Sequence, residues 1–419
     1  MGNFPTIILA AGKGTRMKSK VPKILHPVCG KPLIQYVIDT VSAVGSLKIC
    51  VVIGHQAHSV KKYLGNKVTT IVQKKLLGTA DAVKIAGRYL RNHKGNVLVL
   101  CGDTPLLNKN TIKQLIQCHQ KSKAICTFLT AFVEDSTRYG RVIRDEKGSP
   151  IAIREEKDAS RLEKNINEIN VGVYCFKGEE LLKGLEAIKV NPRKKEYYLT
   201  DIIDILSKRG KKIETVTTQD HQEGIGVNTR EDLAFVESVV RKRILENFMR
   251  QGVTIVDPLT TYIDADAKIG QDTVIRPFTV IENSVRIGRR CIIGPFARLR
   301  PGTRIGNNAE VGNFAEISRS ELGDYTLMKH FSFLGDAQVG SRVNIGAGTV
   351  TANYDGRRKN KTRIRDGAFI GSDSILVAPV TIGKKAITGA GCVVTKGKVV
   401  PDKGVVVGVP AKLISKSKR

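Results

Sequence analysis

Two architectures in series are predicted for this chain of 419 residues: an α/β domain built on parallel strands, then a solenoid of six-residue repeats. Three observations carry the prediction. Through the first half, short apolar runs alternate with stretches of helical periodicity, as in a sheet whose strands are joined by crossover helices. Through the second half an aliphatic residue returns at every sixth position. Between the halves, Thr229-Arg230-Glu231-Asp232 has the Ser/Thr-x-x-Asp/Glu form of a capping box. Behind it Leu233, Val236, Val240, Ile244, Leu245 and Phe248 fall at helical spacing, which predicts one helix over about 230–250. The bounds are then 1–228 for the first domain, 229–252 for a linker helix and 253–419 for the solenoid. With no Gly/Ser/Pro tract, the linker reads as a rigid connector rather than a tether.

In the first domain the apolar runs Thr6 to Ala10, Ile49 to Ile53 and Asn96 to Cys101 read as strands, and Leu33 to Val44, His58 to Leu64 and Thr111 to Cys118 as helices. Ligands of such sheets sit at the carboxyl ends of the strands. The first strand ends in Leu9-Ala10-Ala11-Gly12-Lys13-Gly14-Thr15-Arg16-Met17, followed by Val21-Pro22-Lys23. Gly12 and Gly14 can take positive φ, so backbone N–H groups can approach an anion, while Arg16 and Lys23 supply charge-assisted contacts. The loop is neither a Walker A motif nor a dinucleotide fingerprint, because it lacks Gly-Lys-Ser/Thr at the required spacing and a third glycine. A second buried strand ends in Cys101-Gly102-Asp103-Thr104-Pro105. One carboxylate at a strand end suits Mg²⁺, which takes one or two protein oxygens and completes its shell with phosphate and water.

In the second half the aliphatic ruler runs through 263, 269, 275, 281, 287, 293, Leu299, 305, Val311 and 317, always with a small or β-branched residue two places earlier. Short strands on the faces of a triangular coil, stacked so that each aliphatic meets the one above, account for this period. It is the pattern of a left-handed parallel β-helix. The phase slips near Leu322, and the polar run Asn353 to Lys361 interrupts it as an excursion loop. His330 is the one histidine of this half.

Composition narrows the function classes. A hydrophobic content of 41% is enough for sizeable cores and argues against disorder. Lysine plus arginine exceed aspartate plus glutamate by 69 to 39, so acidic partners are expected, whether nucleotides, sugar phosphates, coenzyme A or nucleic acid. The basic residues are spread through the chain, and no nucleic-acid-binding motif is present, so dedicated nucleic-acid binding is not expected. Eight cysteines without a C-x-x-C pair fit reduced thiols and a cytoplasmic location. No apolar run reaches the length of a membrane span.

The signature loop, Lys31-Pro32-Leu33, the Gly-Asp-x-Pro-Leu element and Gly226-Val227-Asn228 resemble those of sugar-1-phosphate nucleotidyltransferases. Residues 294–302, 311–314, 344–348 and 353–356 extend the likeness over essentially the whole chain. The family resembled is the bifunctional N-acetylglucosamine-1-phosphate uridyltransferase and glucosamine-1-phosphate N-acetyltransferase. The resemblance implies a Rossmann-like nucleotidyltransferase domain in which Asp103 and Asn228 hold Mg²⁺ and Arg16 and Lys23 are catalytic. It implies that Leu9, Ala10, Ala11, Gly12, Lys23, Gln73, Gly78, Thr79 and Asn228 contact the nucleotide, with Gly140, Glu155 and Asn170 at the sugar. For the solenoid it implies His330 as base, oriented by Glu316, and Ala347 N–H as oxyanion donor. Arg300, Phe333, Asn344, Asn353, Tyr354, Ser372 and Ala390 would contact the acceptor or acetyl-CoA. The implied partners are UTP, N-acetylglucosamine 1-phosphate, glucosamine 1-phosphate and acetyl-CoA, in a homotrimer. Three positions depart from the family: Ser318 stands for a phosphate-binding lysine, Phe333 for a tyrosine, and Gly408-Val409-Pro410 for an arginine-bearing segment. These departures leave two rival expectations: a weakened acetyl site with Arg319 or Lys329 as substitute cation, or a nucleotidyltransferase with the solenoid as a trimerisation scaffold.

Overall fold

The computed structural model describes residues 4–416 except 47, 91, 92, 94 and 194. The chain divides into two compact units, Met1–Glu237 and Ser238–Arg419, and the division falls inside the helix Arg230–Arg250.

The first unit is organised on a nine-stranded sheet. Its buried centre is Pro5–Ala10, which pairs in parallel with Lys48–Ile53 on one side and Asn96–Cys101 on the other. Residues 97–100 and 50–53 are fully buried, so these strands are apolar on both faces, with helices packed above and below. The sheet departs from the parallel expectation at Glu168–Lys177, which runs antiparallel to Asn96–Cys101 and to Cys126–Phe132. This strand is reached through the hairpin of Arg141–Arg144 and Pro150–Arg154. Short connections join antiparallel neighbours, whereas a parallel pair needs a crossover of a dozen or more residues.

The second unit is a left-handed β-helix whose two- to four-residue strands form three parallel sheets, and the five-residue strand Lys412–Lys416 closes one of them antiparallel, for sheets of ten, eight and eight strands. All ten ruler residues are buried, and so is the residue two places before each of them, from Thr261 to Ala315. Side chains stack on themselves one coil apart: Ile275 pairs with Ile293, eighteen residues on. The phase slip has a simple form. Ile317 pairs with Leu334, seventeen residues on, so one corner is a residue shorter and the inward aliphatic is kept. Val339 pairs with Ile364 because the intervening coil carries the excursion loop. That loop is a tight hairpin in which Asn360 N–H donates to Asn353 O at 2.7 Å. Asp355 accepts from the N–H of Arg358 and Arg357 at 2.9 and 3.1 Å. These hydrogen bonds, that from Arg358 first, hold its carboxyl well below the usual range.

Corners need left-handed backbone, and Phe278, Phe296 and Phe314 supply it at φ near +55°. Their exposed rings stack at 4.8 and 4.9 Å along one edge of the solenoid. Gly312 serves a different need: a Cβ there would overlap the carbonyl of Lys329, one coil above. Gly312→Ala is therefore expected to destabilise the solenoid by about 3 kcal/mol or more, read as a lowered denaturant midpoint. Because Lys329 precedes His330, chemistry at the histidine should fall with it.

Candidate active sites

The first site is assembled where two neighbouring strands end. Gly102 N–H donates to Leu9 O at 2.9 Å, which sets Asp103 beside the loop that leaves the first strand. Val227 N–H donates to Asp103 O at 2.9 Å and brings Asn228 to the same place. There Lys23 Nζ forms an ion pair with Asp103 and donates to Asn228 Oδ1 at 3.1 Å. Arg16 donates to the same Asn228 oxygen at 2.9 Å. The four residues, drawn from positions 16 to 228, converge at one place. Two hard oxygens, one anionic, meet around a cation, and this donor set fits Mg²⁺ completed by phosphate oxygens. Among the described residues no group of three or more His, Cys, Asp or Glu could hold a metal, so the pair would act with substrate rather than as a cage.

The loop itself corrects one expectation. Gly14 is left-handed at φ +61°, but Gly12 does not have positive φ, and its missing Cβ faces open space. Only Gly14 is required by backbone conformation; Gly12 leaves room for a neighbour to approach. Leu9, Ala10 and Ala11 present strand-end backbone at this edge, with Ala11 O accepting from His55 N–H.

Gln73 is buried, and its amide donates to Gly78 O at 3.1 Å and Asp81 at 2.8 Å, so it braces the turn that carries Gly78 and Thr79. Thr79 Oγ1 accepts from Leu199 N–H at 2.9 Å. On the sugar side, the register of Arg141 with Arg154 and of Ile169 with Arg141 gathers Gly140, Glu155 and Asn170 at adjacent strand ends. Asn170 N–H donates to Gly140 O at 2.8 Å, and Thr200 Oγ1 donates to Glu155 at 3.0 Å. A Cβ on Gly172 would lie 3.3 Å from Cys101 Sγ, so this bulged segment abuts the strand that delivers Asp103.

Sequence reasoning overlooked Arg141. It is 2% exposed, paired with Glu156 and donating to Tyr139 O, and it knits the sugar-side hairpin from beneath. Also overlooked was the coupling of the capping box to Asn228: Asp232 Oδ2 accepts from both Thr229 and Asn228 N–H at 2.8 Å. The box was legible, and its proximity to Asn228 was the available signal.

In the second unit a cleft of about 640 Å³ is lined by His330, Phe331, Asn344, Ala347, Ser372 and Ala390 among others. Five residues named from sequence thus share one wall. Glu316 and Phe333 pair in register on the next sheet, Arg300 follows its strand Arg298–Leu299, and Asn353 and Tyr354 lie in the excursion loop. Glu316 accepts from Arg300 at 2.9 Å, so within the chain it neutralises this arginine instead of orienting His330. The two side chains come from neighbouring coils, and pairing across the coil is the short route to charge compensation. Arg300 Nε is buried without a partner.

The substitute cations are engaged as well. Arg319 forms a fork with Asp336 at 2.7 and 2.9 Å and donates to Ser318 Oγ at 2.7 Å, while Lys329 pairs with Glu310 at 3.1 Å. Asp336 also accepts from Asn353 at the base of the loop, and Tyr354 is exposed with its hydroxyl on Gly356 O at 2.7 Å. The fork from Arg319 holds the Asp336 carboxyl below its ordinary range. The Phe333 ring lies over Gly335, and Gly408, at φ +90°, turns the chain into its closing strand.

Cations and a carboxylate gathered at the strand ends of an α/β sheet, followed by hexapeptide coils with a histidine in a cleft, define a nucleotidyltransferase joined to an acyltransferase. Residues 5–226 match the family model Nucleotidyl transferase, and residues 266–301, 284–319 and 361–396 match the bacterial transferase hexapeptide model. The chain is 46% identical to the bifunctional protein GlmU of Shouchella clausii, covering 94% of each chain. It is 44% identical to that of Bacillus subtilis, over 96% of this chain and 95% of the relative. The figure for Brevibacillus brevis is 42%, over 97% and 95%. The chain belongs to the GlmU family. It is a bifunctional enzyme of UDP-N-acetylglucosamine synthesis, a uridyltransferase and a glucosamine-1-phosphate acetyltransferase. No helix among the described residues is long and apolar enough to cross a membrane.

Proposed function

We propose that the first unit transfers uridylyl from UTP to N-acetylglucosamine 1-phosphate in line, with Asp103 and Asn228 holding Mg²⁺. The observation that carries this reading is the convergence of Arg16, Lys23, Asp103 and Asn228. A sugar phosphate is already anionic, so no general base is required, and positioning plus charge neutralisation suffices. Asp103 and Asn228 would hold Mg²⁺, which would supply further charge neutralisation at the phosphates. Arg16 and Lys23 face the phosphates. The backbone of residues 9–12, with Gln73, Gly78 and Thr79, frames the base, and Gly140, Glu155 and Asn170 frame the sugar. A panel of nucleoside triphosphates with N-acetylglucosamine 1-phosphate, read as pyrophosphate release, tests this: UTP should stand above the others, and no release from any would overturn it.

For the second unit the proposed base is His330, with Ala347 N–H stabilising the oxyanion and Asn344, Ser372 and Ala390 along the acetyl-CoA cleft. Histidine changes charge near neutrality and can relieve the acceptor amine of its proton. The Arg300 guanidinium, 40% exposed beside Glu316, suits the acceptor phosphate. The cleft and the Glu316, Phe333, Asn353 and Tyr354 group lie on different faces of one solenoid, which supports a homotrimer whose site joins faces of neighbouring copies. We place both activities in the cytoplasm. With Ser318 buried and Arg319 committed to Asp336, the acceptor site lacks one cation. Ser318→Lys with Phe333→Tyr is expected to lower the KM for glucosamine 1-phosphate roughly ten- to hundredfold, the worth of one charge-assisted hydrogen bond. An unchanged KM would show that the natural residues already serve.

A further inference from the structure

We propose that Arg230, in the first turn of the helix Arg230–Arg250, is a positioning residue for uridylyl transfer that braces the two short turns presenting Arg16 and Lys23. The inference rests on the uridylyl-transfer reading above. Arg16 lies in the 3₁₀ turn Thr15–Met17 and Lys23 in the 3₁₀ turn Lys23–Leu25. Each turn is a single loop of chain with two backbone hydrogen bonds of its own, so neither is stiff alone. Arg230 reaches the trailing end of both. Its Nε donates to Met17 O at 3.2 Å, and its Nη1 lies 3.3 Å from Nδ1 of His26, the residue that follows the second turn.

Met17 and His26 are buried, so the two acceptors are fixed points rather than surface groups. Burial, then the charge of Arg230, lowers the His26 pKa, which keeps the ring neutral and Nδ1 able to accept. The same helical turn anchors the other side of the site. Asp232 accepts from Asn228 N–H, and the Asn228 side chain accepts from both Arg16 and Lys23. One turn further, Glu237 accepts from Cys29 N–H at 2.9 Å and ties down the hairpin that follows His26. The cations and one metal ligand are thus referenced to one rigid element, and the guanidinium fork links the two cationic turns directly. A misplacement of about 1 Å can cost a hundredfold in rate, which is why a group that touches no substrate can matter here.

The test is a double-mutant cycle on the full-length enzyme with UTP, N-acetylglucosamine 1-phosphate and Mg²⁺. Arg230→Ala should lower uridylyl kcat/KM roughly tenfold, while coenzyme A release by the same preparation stays at the wild-type level. The penalty of Arg16→Ala should shrink severalfold in the Arg230→Ala background, because a displaced Arg16 has less to lose. Arg230→Lys keeps the charge but can satisfy only one of the two acceptors, and its activity should fall between. It also answers for a folding defect of the alanine variant. Activity of both variants within twofold of wild type, or penalties that simply multiply, would overturn the inference. The unsubstituted enzyme, run alongside, separates the two levels: no pyrophosphate release from UTP and N-acetylglucosamine 1-phosphate there would sink the uridylyl-transfer reading itself.

Discussion

Asp103→Ala is expected to lower pyrophosphate release from UTP and N-acetylglucosamine 1-phosphate by roughly a thousandfold or more, the scale of removing a main electrostatic stabiliser. Two effects act together. The proposed metal site loses its only anionic protein oxygen, and Lys23, with 14% of its side chain exposed, loses its counter-charge. An ammonium released from that pair is free to wander to other anions. Asp103→Asn separates the effects, since it keeps an oxygen for Lys23 but not the charge; it should remain severely impaired and require far more Mg²⁺. Pyrophosphate release is the readout, and substantial activity of Asp103→Ala at ordinary Mg²⁺ would overturn the metal assignment. Coenzyme A release with glucosamine 1-phosphate should continue and reports that the preparation is intact.

The reciprocal result is expected for His330→Ala: coenzyme A release falls roughly a hundred- to ten-thousandfold, the usual worth of a positioned general base, while uridylyl transfer is untouched. His330 lies exposed at the mouth of the cleft, so its loss opens no core cavity. A folding defect is therefore not the expected cause, and thiol release measured beside a thermal midpoint decides. Because Glu316 is paired with Arg300, Glu316→Gln should act chiefly on the acceptor KM within one chain. A loss in kcat alone would show that the carboxylate turns to the histidine in the assembled enzyme.

The solenoid was legible because its physics is local and repetitive: every coil must fill the same narrow interior, so an aliphatic at one position and a small residue two places earlier are demanded each time. The length of one turn was legible too, and with it a rule that went unused. With coils of 17 or 18 residues, charges about that far apart are neighbours. Arg300 with Glu316, Arg319 with Asp336 and Lys329 with Glu310 all follow from it. Reading them in advance would have shown that Glu316 and both substitute cations were engaged. In the first unit Gly14, Lys23 and Asp103 could be named because strand ends, glycines and charges leave marks in sequence, whereas Asn228 was named only through the family resemblance of Gly226-Val227-Asn228. The antiparallel course of Glu168–Lys177 could not, since a buried apolar run looks the same in either direction. Arg141 escaped for a related reason: a buried arginine is recognisable only once its partners, Glu156 and the Tyr139 carbonyl, are folded around it.

One measurement bears most directly on the account that both halves work in sequence within one protein. Purified enzyme is given glucosamine 1-phosphate, acetyl-CoA, UTP and Mg²⁺ together, and UDP-N-acetylglucosamine, coenzyme A and pyrophosphate are followed over time. The expected result is formation of all three, with coenzyme A leading and no UDP-N-acetylglucosamine when acetyl-CoA is left out. Pyrophosphate release that needs N-acetylglucosamine 1-phosphate to be supplied, with no coenzyme A formed from glucosamine 1-phosphate at any concentration, would contradict it and leave the solenoid as a scaffold.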